Sequence, residues 1–329
     1  MRPLILACLC LTVPAAALAQ TKAVYRGRTA RQWEGDLASK DLRVRWDATC
    51  ALGQLGPKAA DALPALMRIL EDQYEHEYVR GGAAWALGSI GPGAEPAVKL
   101  LTETLRSKHV SVRRNSARAL GRIGAGAKPA AIELVKMLAD EETPVRANAA
   151  EALWRIDRHP KAIPALVELL RSETGPEAYE AAVALGRLGP EAAAAAGPLV
   201  AALGHADADV RRAAARSLGQ IGPGAVAAVT KALESSDEEV RRGAVEALAW
   251  IGPPGVPALI EALADKSPTV RRTAARALGR LGPDAREAAP ALIEAASDPE
   301  RQVRDEAGGA LRRVRTTAGQ EGNPAPEKP

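Results

Sequence analysis

The sequence has no phenylalanine, and only 3% of its residues are aromatic. Alanine is abundant instead, and small side chains of this kind suit tightly packed helices. The four histidines stand in unrelated sequence contexts, so no metal site that needs several of them is predicted. No apolar run reaches the roughly 20 residues that span a bilayer, so no membrane-spanning helix is expected.

The N-terminus has the features of a signal peptide. Arg2 provides the positive start, residues 4–13 form a short apolar run, and Ala17-Leu-Ala19 is a small-residue cleavage site before Gln20. Residues 1–19 are therefore predicted to be removed, and the mature protein to be exported to the periplasm or the outside of the cell.

Cysteine is scarce, and only three residues of this type are present. Cys8 and Cys10 lie within the predicted signal peptide, and Cys8 precedes the end of the apolar run, which argues against a lipoprotein signal. Cys50 is then the single cysteine of the mature chain. No intramolecular disulfide is possible, so stability must come from packing.

The charges of the mature chain are nearly balanced. Removal of Arg2 leaves 43 basic residues of the original 44 against 40 acidic ones, a net charge of +3 with histidine neutral. Composition therefore implies neither a nucleic-acid nor a membrane footprint. Residues 316–329 contain almost nothing apolar and are predicted to be a disordered tail.

One phrase of about thirty residues recurs nine times and dominates the sequence. A clear copy is Val112-Arg-Arg-Asn-Ser-Ala-Arg-Ala-Leu-Gly-Arg-Ile-Gly124. The first residues of the nine copies, called anchors here, are Val44, Val79, Val112, Val145, a degenerate Glu177, Val210, Val240, Val270 and Val303. Such a period predicts a solenoid, because one unit cannot bury its apolar face without neighbours.

Each repeat contains two helical patterns. The first, helix A, has apolar residues at helical spacing with proline in its first turn, as in Ala162-Ile-Pro-Ala-Leu-Val-Glu-Leu-Leu170. The second, helix B, is the anchor phrase, preceded by capping or acidic residues such as Asp41, Asp209, Asp237 and Ser267. Helix B is predicted to end at a glycine that most copies follow with proline. These glycines are Gly56, Gly91, Gly124, Gly189, Gly222, Gly252 and Gly282.

The alternation of A and B helices, the Asp-then-Val-Arg entry and the Leu-Gly-x-Ile/Leu-Gly exit resemble HEAT repeats of the short bacterial type that phycobilin lyases also contain. The resemblance implies an all-α solenoid of about nine helical hairpins over residues 29–315, after a lead-in at residues 20–28. The segment Tyr25-Arg-Gly-Arg-Thr-Ala-Arg-Gln-Trp33 resembles the start of exported HEAT proteins, so Trp33 is expected to cover the open end of the core. Fold resemblance by itself does not fix function.

Alignment of the B helices assigns a role to each column. The anchor valines and the fourth and eighth residues after each anchor are small or apolar and are predicted to form the core. The arginine directly after the anchor is nearly invariant between copies, and the resemblance to HEAT proteins implies that it pairs with acidic turn residues of neighbouring repeats. This column is Arg45, Arg80, Arg113, Arg146, Arg211, Arg241, Arg271 and Arg304.

The second, sixth and tenth residues after the anchor share another face of helix B, which lines the concave side of such a solenoid. We call it the concave stripe. It holds eleven arginines, two glutamates, three tryptophans and a tyrosine. Its candidate binding residues are Trp46, Trp85, Arg114, Arg118, Arg122, Arg155, Tyr179, Arg187, Arg212, Arg216, Arg242, Trp250, Arg272, Arg276 and Arg280.

Two interpretations of the stripe remain open at this stage. Arginine stems can cover alanine-rich surface while acids from adjacent turns neutralise their charges. Alternatively the groove binds an anionic partner, since arginine and aromatic residues are enriched at the energetic centres of interfaces. Cys50 between Trp46 and Trp85 is interpreted as a small packed residue.

The function predicted from these patterns is a non-enzymatic scaffold that binds a protein with an acidic surface, without a cofactor or metal and as a monomer. A lyase-like chaperone that holds a substrate for modification is the alternative. Hydroxylases with HEAT folds carry several His-Glu pairs, whereas this chain has one, His76-Glu77. DNA binding by the arginine stripe conflicts with the export signal.

Overall fold

The computed structural model describes residues 24–316, so the predicted signal peptide and residues 317–329 of the predicted tail lie outside the described range. Within it the chain forms nine consecutive helix pairs, which confirms the predicted α-solenoid. The A helices are α1 Ala30–Asp36, α3 Leu63–Glu71, α5 Val98–Thr104, α7 Ala131–Met137, α9 Ala162–Leu170, α11 Ala196–Ala202, α13 Val226–Ala232, α15 Val256–Glu261 and α17 Ala289–Ala295. The B helices are α2 Leu42–Leu55, α4 Glu77–Ile90, α6 Val110–Ile123, α8 Thr143–Asp157, α10 Gly175–Leu188, α12 Ala208–Ile221, α14 Glu238–Ile251, α16 Pro268–Leu281 and α18 Arg301–Arg315.

The lead-in forms a short hairpin that the sequence did not predict. Strands β1 Val24–Tyr25 and β2 Arg28–Thr29 pair antiparallel. Thr29 then caps α1 in a reciprocal capping box with Gln32. Trp33 is buried at the first end of the core, where its Nε1 donates to the carbonyl of Tyr25 at 3.2 Å, as its predicted capping role requires.

The B helices end where the sequence predicted. Gly124 and Gly222, for example, follow the last residues of α6 and α12 with φ of 77° and 74°. Side chains at such positive φ are strained, which explains why glycine recurs at this position. At the start of α12 the cap is Asp207, not Asp209, because the Asp207 carboxylate accepts from the backbone N–H of Asp209.

Glycines one turn before the exit allow adjacent B helices to approach closely. A Cβ added at Gly88 would lie 2.6 Å from Cα of Ala119, and one at Gly121 would lie 2.8 Å from Cα of Ala152. In repeats 4 and 7, Trp154 and Ala249 replace this glycine, and there the next B helix makes less extensive contact. The B helices therefore form the tighter layer, which places them on the inside of the curve.

The column of arginines after the anchor forms what we call the arginine ladder. In Arg113 the Nε and Nη2 atoms donate to Asp140 of the next repeat at 2.9 and 3.0 Å. Six of the eight arginines pair with a carboxylate of the next repeat. In four of these pairs the acid lies in a turn, as predicted, and in the other two it is Glu177 or Glu239 in the first turn of the next B helix. Arg80 donates instead to the Leu70 carbonyl in α3, and Arg304 to the Asp298 carbonyl in the turn before α18. The six pairs are Arg45–Glu75, Arg113–Asp140, Arg146–Glu177, Arg211–Glu239, Arg241–Asp265 and Arg271–Asp298.

Candidate groove on the B-helix face

Part of the concave stripe lines a cavity. A cavity of about 650 Å³ lies over α10, α12, α14 and α16, and ten of its fourteen lining residues belong to the stripe. Those ten are Tyr179, Val183, Arg187, Arg212, Arg216, Gln220, Glu246, Trp250, Arg276 and Arg280. The predicted register brings these ten side chains to one surface. Asp209 and Ser217 also line the cavity but lie outside the stripe.

Two exposed aromatic rings belong to this cavity. Tyr179 on α10 is 42% exposed and Trp250 on α14 is 58% exposed. The guanidinium of Arg216 lies over the Trp250 ring at 5.8 Å from its centroid. Large exposed aromatic surface beside a cation is a feature of binding surfaces, because it is costly to leave in water.

The stripe arginines divide into neutralised and unneutralised groups. Arg212 pairs with Asp209 and Arg242 pairs with Glu239 and Glu246, while Arg155 and Arg187 share Glu151. The other seven form no salt bridge within the described chain. They are Arg114, Arg118, Arg122, Arg216, Arg272, Arg276 and Arg280. Arg122 donates to the Ser89 hydroxyl and Arg272 to the Gln302 side chain, which are both neutral acceptors.

A dense group of cations lies in repeats 3 to 5, which we call the Glu151 cluster. It comprises Arg118, Arg122, Arg155, Arg187 and Glu151. The Glu151 carboxylate is buried and accepts from Arg155 Nε at 2.9 Å and Arg187 Nε at 2.7 Å. Burial lowers the pKa of the Arg118 guanidinium, and the positive charges of Arg122 and Arg187 lower it further. Burial likewise lowers the pKa of Arg122.

The first two repeats present a different, uncharged part of the stripe. Trp46 is 45% exposed, whereas Trp85 is partly buried because its ring covers Gly53. Trp85 therefore has a packing role in addition to its predicted place on the binding face. Cys50 is half-buried, and burial raises the pKa of its thiol, which disfavours the reactive thiolate.

The His76-Glu77 pair, which was not predicted to be a site, has a structural role. The His76 ring caps α4 by accepting from the backbone N–H of Tyr78, and the Glu77 carboxylate contacts His109 Nδ1 at 3.0 Å. In the part of the chain that the structure describes, no three potential metal ligands come together. The same residues include no helix long and apolar enough to cross a membrane.

A sequence profile of HEAT repeats matches residues 36–121, 73–144, 133–196, 196–256 and 256–321, which together cover most of the chain. The chain belongs to the HEAT-repeat family. A comparison with curated protein sequences gives no significant match.

Many solved structures resemble this HEAT-repeat solenoid. Importin beta is 16% identical over 88% of this chain and 45% of its own length, with a TM-score of 0.53. The CpcE and CpcF complex of phycocyanin lyase from Nostoc is 24% identical over 76% of this chain and 95% of that chain, with a TM-score of 0.45. Human deoxyhypusine hydroxylase is 24% identical over 78% and 96% of the two chains, with a TM-score of 0.33. The importin likeness supports the solenoid fold.

Proposed function

We propose that this HEAT-repeat protein is a non-enzymatic scaffold whose concave stripe binds an acidic segment of a protein partner. The observation that carries the proposal is the contrast between two arginine columns on the same helices. Six ladder arginines are paired with carboxylates, whereas seven stripe arginines have no ion pair among the described residues. The ladder stabilises the fold, and the stripe leaves positive charge available.

Three acids of the turns between helices A and B are occupied by the ladder rather than by the stripe. The carboxylates of Asp140, Asp265 and Asp298 accept from two nitrogens each of a ladder arginine. A carboxylate held in such a fork has most of its acceptor capacity occupied. This arrangement favours an anionic partner over the alternative in which turn acids neutralise the groove.

The stripe arginines also repel one another. Arg272, Arg276 and Arg280 are four residues apart on α16, and like charges at this spacing cost about 0.2–0.5 kcal/mol per pair. A bound acidic segment offsets that repulsion, and its affinity falls as salt screens the charges. The groove is formed by packed helices, so a partner binds without ordering it first.

The lyase-like alternative uses the same groove to hold a substrate for modification, and no geometry in the described residues favours it over simple binding. Export is a further part of the proposal and rests on the leader composition at residues 1–19. A periplasmic or extracellular partner is therefore expected, and nucleic acid is not.

Affinity capture from an envelope fraction tests the binding face. The groove variant replaces Arg118 and Arg276 with glutamate. Its matched control replaces Arg68 and Arg286 with glutamate. These two arginines are exposed and lie away from the stripe, so the control has the same net charge as the groove variant. We expect wild type and control to capture the same acidic proteins in a salt-sensitive manner and the groove variant to lose them. Capture of the same proteins by the groove variant, with unchanged melting temperature, would place binding elsewhere.

A further inference from the structure

The Glu151 cluster contains more guanidinium groups than its single carboxylate can satisfy. Helices α6, α8 and α10 contribute Arg118, Arg122, Arg155 and Arg187 around Glu151. Four positive charges and one negative charge leave a net charge of +3 in this small region. The Glu151 side chain is only 10% exposed, so water screens its carboxylate poorly.

The arginine ladder shows what a saturated fork looks like in this protein. In Arg113 and Arg271, Nε and Nη2 each reach one oxygen of the same aspartate. Arg187 has only half of that arrangement. Its Nε reaches Glu151 Oε2, but Oε1 is taken by Arg155.

The second half of the Arg187 fork is left without an acceptor. Its Nη2 is shielded from solvent and has no hydrogen-bond partner among the described residues. A buried donor without a partner costs about 1–3 kcal/mol, and more when it is charged. Arg118 is partly buried beside this group and makes no hydrogen bond within the described chain. One carboxylate cannot fill two forks, so the cluster has donors for a second oxyanion.

We infer that the Glu151 cluster is an oxyanion site in which Arg118 and Arg187 hold one acidic side chain of the bound partner segment. The inference rests on the proposed function for the identity of the ligand, since it places one carboxylate of that segment. Arg122 and Arg155 supply the surrounding charge, and Glu151 orients the Arg155 and Arg187 forks. Burial and then the neighbouring positive charges lower the pKa of Arg118, and an anion bound there would stabilise its charged form.

Inorganic phosphate is the first probe, because it presents several oxygens and needs no partner protein. Binding to the mature protein is measured by titration calorimetry and by the shift in melting temperature, against chloride at matched ionic strength. We expect a phosphate-specific effect in wild type. Arg187→Gln and Arg118→Gln should weaken it at least about tenfold, which corresponds to loss of one charge-assisted hydrogen bond.

Arg286→Gln is the matched control, since it removes an exposed arginine that lies away from the stripe and should leave phosphate affinity within about twofold. Glu151→Gln should change phosphate affinity in the opposite direction, because it removes the carboxylate that competes with phosphate for the arginines. Phosphate should then bind more tightly than in wild type and should raise the melting temperature by a larger amount. Equal effects of phosphate and chloride, or an unchanged response in Arg187→Gln, would overturn the site.

A hexaglutamate peptide, compared with hexaglutamine, identifies the ligand class. If hexaglutamate displaces bound phosphate and hexaglutamine does not, the ligand of the site is an acidic side chain. Failure of hexaglutamate to displace phosphate overturns that assignment. These measurements use no cellular partner. Loss of the oxyanion site is therefore distinguishable from failure of the capture experiment, which tests the whole groove.

Discussion

Arg113 and Arg114 are consecutive residues of α6, but only Arg113 has a carboxylate partner. The Arg113 side chain is 8% exposed and holds Asp140, which is equally buried, while Arg114 is exposed and forms no salt bridge in the described chain. A rotation of about 100° around the helix separates a structural arginine from one that faces the groove.

This pair gives a direct test of the two columns. Arg113→Ala leaves the buried Asp140 carboxylate uncompensated and should lower the free energy of unfolding by about 3–5 kcal/mol. Arg114→Ala should change it by no more than about 0.5 kcal/mol. Urea denaturation followed by circular dichroism measures both. Similar effects of the two substitutions would contradict the division into ladder and stripe.

The glycine before the helix exit has a packing role that alanine should disturb. In Gly88→Ala the new methyl group meets Ala119 of the next B helix, so we expect destabilisation of about 1–3 kcal/mol. Gly35 in α1 is the control, because nothing lies within 4 Å of its added Cβ. Gly35→Ala should stabilise the protein by about 0.5–1 kcal/mol. Thermal melts of the two variants should therefore shift in opposite directions.

Acid stability should depend on Glu133. Hydrogen bonds from Arg106 and then Lys136 lower the pKa of this carboxyl to about 2. In the unfolded chain it titrates near about 4.3, so the unfolded state takes up a proton first as the pH falls. The stabilising contribution of Glu133 is present above that pH and is lost towards pH 2. Hydrogen bonds from Ser172 and then Thr143 also lower the pKa of Glu177 to about 2. Its contribution to stability should therefore be lost over the same range of pH.

Glu133→Gln should consequently make stability less dependent on pH between about 4.3 and 2. Denaturant midpoints measured across this window provide the comparison. The exposed Glu287→Gln serves as the control and should retain the wild-type slope. An identical slope in Glu133→Gln would show that this carboxyl is not responsible.

The two tryptophans of the first repeat should separate stability from binding. Trp33 is 8% exposed, and Arg28 lies over its ring at 4.1 Å, so Trp33→Ala should cost about 3–5 kcal/mol. Trp46 is 45% exposed on the stripe, and Trp46→Ala should cost less than about 1 kcal/mol. Denaturation curves measure the first effect. Loss of captured partners without loss of stability is expected for Trp46→Ala, and the reverse pattern would contradict the assignment.

Export is testable without any knowledge of the partner. A C-terminally tagged full-length chain in a Gram-negative host should be recovered from the periplasm with Gln20 at its N-terminus. Arg substitutions at Ala17 and Ala19 should block cleavage, because the peptidase site requires small residues. N-terminal sequencing decides the matter, and an uncut cytosolic product from the wild-type chain would refute the prediction.

Much of the fold could be predicted from the sequence because each repeat meets its neighbours at a fixed register. The helix boundaries, the exits at Gly124 and Gly222 and the pairing of Arg113 depend on contacts that recur with the period. The burial of Trp33 was expected instead from the resemblance of the lead-in to the start of exported HEAT proteins. The two-stranded hairpin at residues 24–29 was missed because it lies outside the repeated pattern. The cap at Asp207 was missed although it stands three residues before its anchor, as the caps Asp41, Asp237 and Ser267 do.

Periodicity also placed the stripe on one surface, but it treated all eleven stripe arginines alike. Only the tertiary structure shows that Glu151 accepts from Arg155 and Arg187 together, while Arg118 has no acceptor among residues 24–316. That difference depends on which side chains of adjacent helices meet across the groove. Helix spacing fixes the direction in which a side chain leaves its own helix, whereas the curvature of the stack and the side-chain rotamers decide which charges it reaches.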